Sequence, residues 1–262
     1  MMKKLIFLLL LAAFLLSTCS IHLLTEPEPE VTEPPSPAPV ASAVPEPSPK
    51  PENRLPEGYT AEQIADYFCE VALGEEYAQG DEGSNAVQKW LQPIYYVVHG
   101  QPSAEDEEVL TAFVDELNQL EGFPGMYPAE SSQQKNCSIR FLDRDQMNSE
   151  AGHVVKGEYV DGISQWYYYT ESNELHTMNI WICTEIDQRM RNSVILEEIV
   201  NSIGLGNDTL ARTDSIIYQG YSDVQQLSEI DWLIIQILYS EKMHCGMTEA
   251  QCREVINQMY EM

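Results

Sequence analysis

The chain is short of basic residues. Fourteen lysines and arginines stand against 42 aspartates and glutamates, a formal net charge of −28. A surface this acidic repels nucleic-acid phosphates and anionic lipid heads, which excludes nucleic-acid binding. Most of the charge falls after residue 57. It reads first as a device for solubility, and more sharply as a means of collecting cations near a charged envelope. No apolar run is long enough to span a bilayer, which takes about 20 residues; the run Leu5 to Leu16 stops at twelve. There is no C-x-x-C, no glycine-rich phosphate loop and no internal repeat. The cysteines beyond Cys19 are Cys69, Cys137, Cys183, Cys245 and Cys252, an odd number. They match neither a disulfide framework nor a zinc-thiolate site. Most read as small buried apolar residues; one pair could be bridged, and the spacing does not say which.

The N-terminus has the three-part layout of a secretory signal. Lys3 and Lys4 supply the positive end, and the apolar run after them ends in Leu16-Ser17-Thr18-Cys19. That ending resembles the lipobox of bacterial lipoproteins, although Thr18 stands where glycine or alanine is usual. The resemblance implies cleavage after residue 18 and a diacylglycerol on Cys19. Each acyl CH₂ buried in the membrane contributes about 0.8 kcal/mol, so two chains anchor firmly. Eleven of the fifteen prolines lie between Pro27 and Pro56, among Glu, Ser and Ala. Such a segment buries too little apolar surface to offset its ordering entropy. Residues 19–57 are therefore expected to be a lipidated, disordered tether, with a reach on the order of 100 Å at about 3.1 Å per residue. Residues 58–262 remain as one folded domain.

Within that domain, Thr60 to Leu73 has Ile64, Tyr67, Phe68 and Val71 at helical spacing. Ile94 to His99 reads as a strand, followed by a breaker at Gly100-Gln101-Pro102. Ser103 then caps a helix through Leu120, with acidic residues in its positive first turn. Cys137 to Leu142 reads as a second strand, and Trp166 to Thr170 with Leu175 to Cys183 as an antiparallel pair. From there the chain is expected to be mostly helical. Ser228 and Asp231 form a capping box with Leu227 and Trp232 as a hydrophobic staple, and Thr248 opens the last helix. The order predicts an α+β domain with a mixed sheet, a central buried helix and C-terminal helices. The run Trp166-Tyr167-Tyr168-Tyr169 is read as an aromatic strand packing into the sheet, with a ligand groove as the alternative. His176 is read as a core or exposed histidine rather than a cleft residue.

The informative stretch is Ile186 to Ile203. It is apolar nearly all round, as a buried helix is, yet it holds Glu197, Glu198 and Asn201. Glu197 and Asn201 are four apart and share a face. Buried carboxylates need cations or hydrogen-bond donors; Arg140, Arg189, Arg191 and Arg212 are the arginines that offer themselves, a metal or substrate the sharper alternative. The helix is expected to end at Gly204, followed by Asn207-Asp208 and then Ser215-Ile216-Ile217-Tyr218. This block is similar to the metzincin-type zinc peptidases, whose H-E-x-x-H-x-x-G-x-x-H helix turns at glycine and is followed by a turn often reading S-I-M-Y. On that resemblance Glu198 stands at the general base, and Glu197, Asn201 and Asn207 at the three ligands. Gly204, Asp208, Ser215 and Tyr218 stand in the structural turns, with Ile217 in place of methionine. No histidine occupies a ligand position. Zinc is therefore not expected, and a carboxylate–amide set suits calcium or another hard cation if any; no other cofactor is expected.

A closer resemblance, over about residues 60 to 247, is to the bacterial domain-of-unknown-function family DUF2927. It rests on the block Glu197 to Asp208, on Tyr67-Phe68-Cys69-Glu70-Val71-Ala72-Leu73-Gly74-Glu75-Glu76-Tyr77, on Lys89-Trp90-Leu91-Gln92-Pro93-Ile94, and on Asp231 and Leu238-Tyr239. It implies a zincin-like scaffold whose metal site is replaced. Two functions follow as expectations. One is a non-catalytic binding or structural module, lipid-anchored at the outer face of the cell membrane, with an extracytoplasmic peptide, cell-wall or protein ligand. The other is a hydrolase of peptide or cell-wall material using Glu198 with an atypical metal. Convergence of Glu197, Glu198, Asn201 and Asn207 on an open cleft favours the second, and a closed, hydrogen-bonded cluster the first. The anchor itself has a direct test: Cys19→Ala should move the protein from the membrane to the soluble fraction, and a mutant that sediments with membranes as firmly as wild type refutes the lipid anchor.

Overall fold

The computed structural model describes residues 54–74, 85–155 and 160–260. The signal segment, Cys19, the tether up to residue 53 and Glu75-Glu76-Tyr77 lie outside the described residues.

The first helix, α1 (Ala61–Ala72), starts at a capping box in which Thr60 and Gln63 each accept the other's backbone N–H. A two-residue strand β1 (Lys89–Trp90) and the strand β2 (Ile94–Gly100) follow. Next come α2 (Ala104–Leu117), the short strand β3 (Met126–Pro128) and β4 (Cys137–Leu142). After α3 (Arg144–Val155), strands β5 (Gly162–Tyr168) and β6 (Glu174–Cys183) form an antiparallel pair. The remaining helices are α4 (Gln188–Ser202), α5 (Glu229–Tyr239) and α6 (Glu249–Tyr260).

The six strands make one mixed sheet in the order β1-β6-β4-β2-β3, with β5 pairing β6. Apart from β5 every pairing is parallel. The sheet is thus more parallel than an α+β reading implies, because helices intervene between the parallel strands β2, β4 and β6. Helix α3 and the short strands β1 and β3 were missing from the expected order. Of the described side chains of α3, which leave out Val155, only Met147 and Ala151 join a hydrophobic cluster as buried residues, so its sequence carries little helical periodicity. Those two meet Leu142, Ile163, Trp181 and Cys183 in a small core. Met178, Ile180 and Ile182 point the other way, into the main core, as alternation along a strand requires. One further expectation changes: α2 ends at Leu117, three residues before Leu120. The helix stop expected at Gly204 holds, and residues 204–228 form a long loop before α5.

Helix α4 sits in the main core against α2, β5 and β6. Its start is tied down by a buried ion pair. Asp106, at the third position of α2, accepts the Ser103 N–H as part of that helix's capping box. It also accepts from Arg191 Nε at 2.7 Å and from Gln188 Nε2 at 2.6 Å. Arg191 in turn donates to the Thr184 and Ile186 carbonyls.

The end of α4 needs donors, since the last carbonyls of a helix have no partner within it. The Trp90 indole donates to Ser202 O at 3.1 Å, and the Tyr239 hydroxyl donates to Ile203 O at 2.8 Å. Beside Trp90, Lys89 is 6 % exposed and its ammonium donates to the carbonyls of Leu238, Ser240 and Met243. These close the carboxyl end of α5, where a cation suits the helix dipole. Burial pushes the Lys89 ammonium below its ordinary range. Tyr239→Phe keeps the ring and deletes only the hydroxyl, stranding a buried carbonyl. The expected cost is about 1–3 kcal/mol, read as a thermal midpoint lower by roughly 2–10 °C; a midpoint equal to wild type contradicts the assignment.

Candidate functional site

Gly204 ends α4 with φ +119°, a region that favours glycine. A Cβ there would also lie 2.3 Å from the Gln88 carbonyl oxygen, so the turn admits no side chain. Two residues on, a Cβ on Gly206 would lie 2.3 Å from the Trp166 ring. That ring comes from β5, and its indole donates to Gln88 Oε1 at 2.9 Å. The loop leaving α4 is thus clamped between β5 and the segment leading into β1.

Of the four residues at the expected site, Glu198 and Asn201 are buried, whereas Glu197 and Asn207 are only half-buried. Glu198 lies under the first residue of β5: a Cβ on Gly162 would come within 2.6 Å of its Oε1. Asn207 faces elsewhere. Its side-chain amide donates to Glu70 O at 2.9 Å and its backbone N–H to Val71 O at 3.2 Å. Both are carbonyls of the last turn of α1, so Asn207 closes the end of that helix, and its side chain packs where a Cβ on Gly74 would fall. Asn201 Oδ1 is buried with no hydrogen-bond partner.

The arginines offered as partners for the glutamates are engaged elsewhere. Arg140 meets Glu150 and Asn179, Arg189 meets Asp223, Arg191 meets Asp106, and Arg212 meets Asp214. Arg212 also lies over the rings of Tyr59 and Tyr67.

The loop from Gly204 returns through Thr209, which is fully buried and bridges to Tyr218. Between them Ser215, Ile216 and Ile217 are buried, and Asp231 holds them in place. Asp231 sits in the capping box of α5 and is 2 % exposed. It accepts from Ser215 Oγ at 2.7 Å, the Ile216 N–H at 3.2 Å and the Ser228 N–H at 2.9 Å. The Tyr67 hydroxyl reaches the same carboxylate at 3.4 Å and Ser215 Oγ at 2.9 Å. Burial and then the nearby Asp231 charge push the Tyr67 phenol well above its ordinary range, so it stays protonated. This cluster ties α1, the loop and α5 together. Sequence reading found the capping box at Ser228 and the turn at Ser215, and missed that one aspartate serves both. The signal was an N3 aspartate inside a strongly apolar helix start.

The donor set does not fit zinc. It contains no imidazole, the side chain at the third ligand position is turned to the end of α1 by its amide N–H, and among the described residues no three His, Cys, Asp or Glu side chains gather to hold a metal ion. Among the aromatic residues, Trp166 and Tyr168 pack against the core while Tyr167 and Tyr169 are exposed, as a half-buried strand predicts. Tyr169 stacks on the half-buried His176 with ring centroids 4.4 Å apart.

Among curated proteins none matches the chain significantly. A family model does, over residues 61–258, which span α1 to α6 and every residue of the clusters just described apart from Tyr59. Its description is a protein of unknown function, DUF2927, and the chain belongs to that family.

Proposed function

We propose that this chain is an exported lipoprotein whose folded domain is a non-catalytic binding or structural module on a zincin-like scaffold. The observation that carries the proposal is the engagement of Asn207 by the end of α1. A metal site of the metzincin kind needs its third ligand turned toward the pair on the helix, and here that side chain serves a different helix. The glycine turn after α4, the buried Ser215–Ile217 turn and the clamped loop support the scaffold reading. The cover of β5 over Glu198 supports the absence of hydrolysis, since a general base needs a path to water and substrate. Export rests on the charged start, the short apolar run and Cys19. Among the described residues no helix is long and apolar enough to cross a membrane. The proposed anchor is the lipid on Cys19. The partner class is an extracytoplasmic peptide, cell-wall fragment or protein.

One observation favours the second reading, a hydrolase with an atypical metal. The buried Asn201 oxygen without a hydrogen-bond partner is a donor that a hard cation such as calcium accepts. Two measurements separate the readings. Elemental analysis of the purified chain should find zinc far below one ion per chain. Glu198→Ala should lower the thermal midpoint by several degrees, since it empties a packed position beneath β5. Stoichiometric zinc that disappears in Glu197→Ala, or a Glu198→Ala midpoint level with or above wild type, overturns the non-catalytic reading, because removal of a strained catalytic group often stabilises.

A further inference from the structure

We infer that Cys69 and Cys252 form a disulfide that staples the last helix, α6, to α1. Both thiols are free and buried in the structure, at 8 % and 0 % exposure. They lie on helices that pack directly on one another, and both belong to the main core cluster between those helices. The register around them is fixed. Asp66, one turn before Cys69 on the same face of α1, binds Arg253 at 2.5 Å, and Arg253 is the neighbour of Cys252. Glu249, a turn earlier on α6, holds the same guanidinium at 2.7 Å. The other cysteines have different settings. Cys137 and Cys183 are buried within β4 and β6, and the Cys245 thiol donates to the Lys89 carbonyl.

The need for a staple follows from how α6 is held. Of its residues only Cys252 and Ile256 are fully buried. Val255, Met259 and Tyr260 are only partly buried against the core, and a helix held in this way opens at lower free energy than the core does. A covalent bond from its core-facing side to α1 removes that opening, and it closes a very long loop in the unfolded chain, where a cross-link acts most strongly.

The chemistry has a natural order. The neighbouring Cys252 holds the Cys69 thiol below its ordinary range, while Cys69 and burial raise Cys252. Cys69 is therefore the attacking thiolate. It attacks one sulfur of an external disulfide, a small-molecule or oxidoreductase disulfide, and releases the other as a thiolate. Cys252 then loses its proton and attacks the Cys69 sulfur of the mixed disulfide, releasing the second external thiol. Two protein thiols are oxidised and one external disulfide is reduced to two thiols. In the cell this oxidant requires the extracytoplasmic location proposed above.

The test uses the purified full chain in glutathione redox buffer, so the oxidant is supplied and the outcome does not depend on where the protein resides. Peptide mapping after alkylation should find one cross-linked peptide joining Cys69 to Cys252 at an extracytoplasmic redox poise. The oxidised protein should melt roughly 5–15 °C above the reduced form. Cys69→Ser and Cys252→Ser should each abolish the difference between oxidised and reduced midpoints, whatever their own stability. Glutathione adducts on single cysteines, a cross-link to another cysteine, or equal midpoints for the two forms overturn the proposal. Failure of Cys19→Ala to release the chain bears on the lipid anchor alone.

Discussion

Two buried helices end inside this domain, and the carbonyls at those ends must find donors there. Neighbouring residues of one short strand supply most of them. Trp90 closes α4 through its indole, and Lys89 closes α5 with its ammonium. Tyr239, at the end of α5, reaches back to the carbonyl of Ile203. An unmet carbonyl in such a place costs about 1–3 kcal/mol, comparable with a sizeable fraction of a domain's net stability. The position of α4, and hence of everything that follows Gly204, depends on this joint.

A second economy is visible in the helix starts. Asp106 and Asp231 are both third residues of capping boxes, and both are buried. An aspartate there satisfies its own helix with one oxygen and has lone pairs left for a neighbour. Asp106 uses them on Arg191 and Gln188, which locks α2 to the start of α4. Asp231 uses them on Ser215, Ile216 and Tyr67, which locks α5 to the loop and to α1. Asn207 closes the ring by binding the last turn of α1. Of the positions that resemble a metal centre in sequence, Asn207 thus lies on a set of hydrogen bonds that joins α1 to the loop after α4 and to α5.

Local signals account for what could be read from the sequence. Ser103 and Ser228 mark their helices because a hydroxyl followed by an acid three residues later is a local device. Cys137–Leu142 and α4 show as apolar runs. Helix α3 was hidden because one face meets solvent and the other meets only a small core. Strand β1 was hidden because two residues carry no periodicity, and its pairing with Glu174 and Leu175 is distant in the chain. At the candidate site the burial of Glu198 and Asn201 followed from the apolar helix around them. The role of Asn207 did not, since its acceptor at Glu70 lies 137 residues away in sequence. The same distance effect concealed that the helices of Cys69 and Cys252 pack on one another.

The central claim is that α4 and the loop after it are one locked structural unit rather than an adaptable site. Native-state amide hydrogen exchange across residues 188–218 tests it most directly. The account predicts that the amides of α4, together with those of Thr209, Ile216 and Ile217, exchange only through global unfolding, with the protection of the β4 and β6 core. Exchange of Thr209, Ile216 and Ile217 through a separate opening of much lower free energy, with α4 still protected, would contradict it.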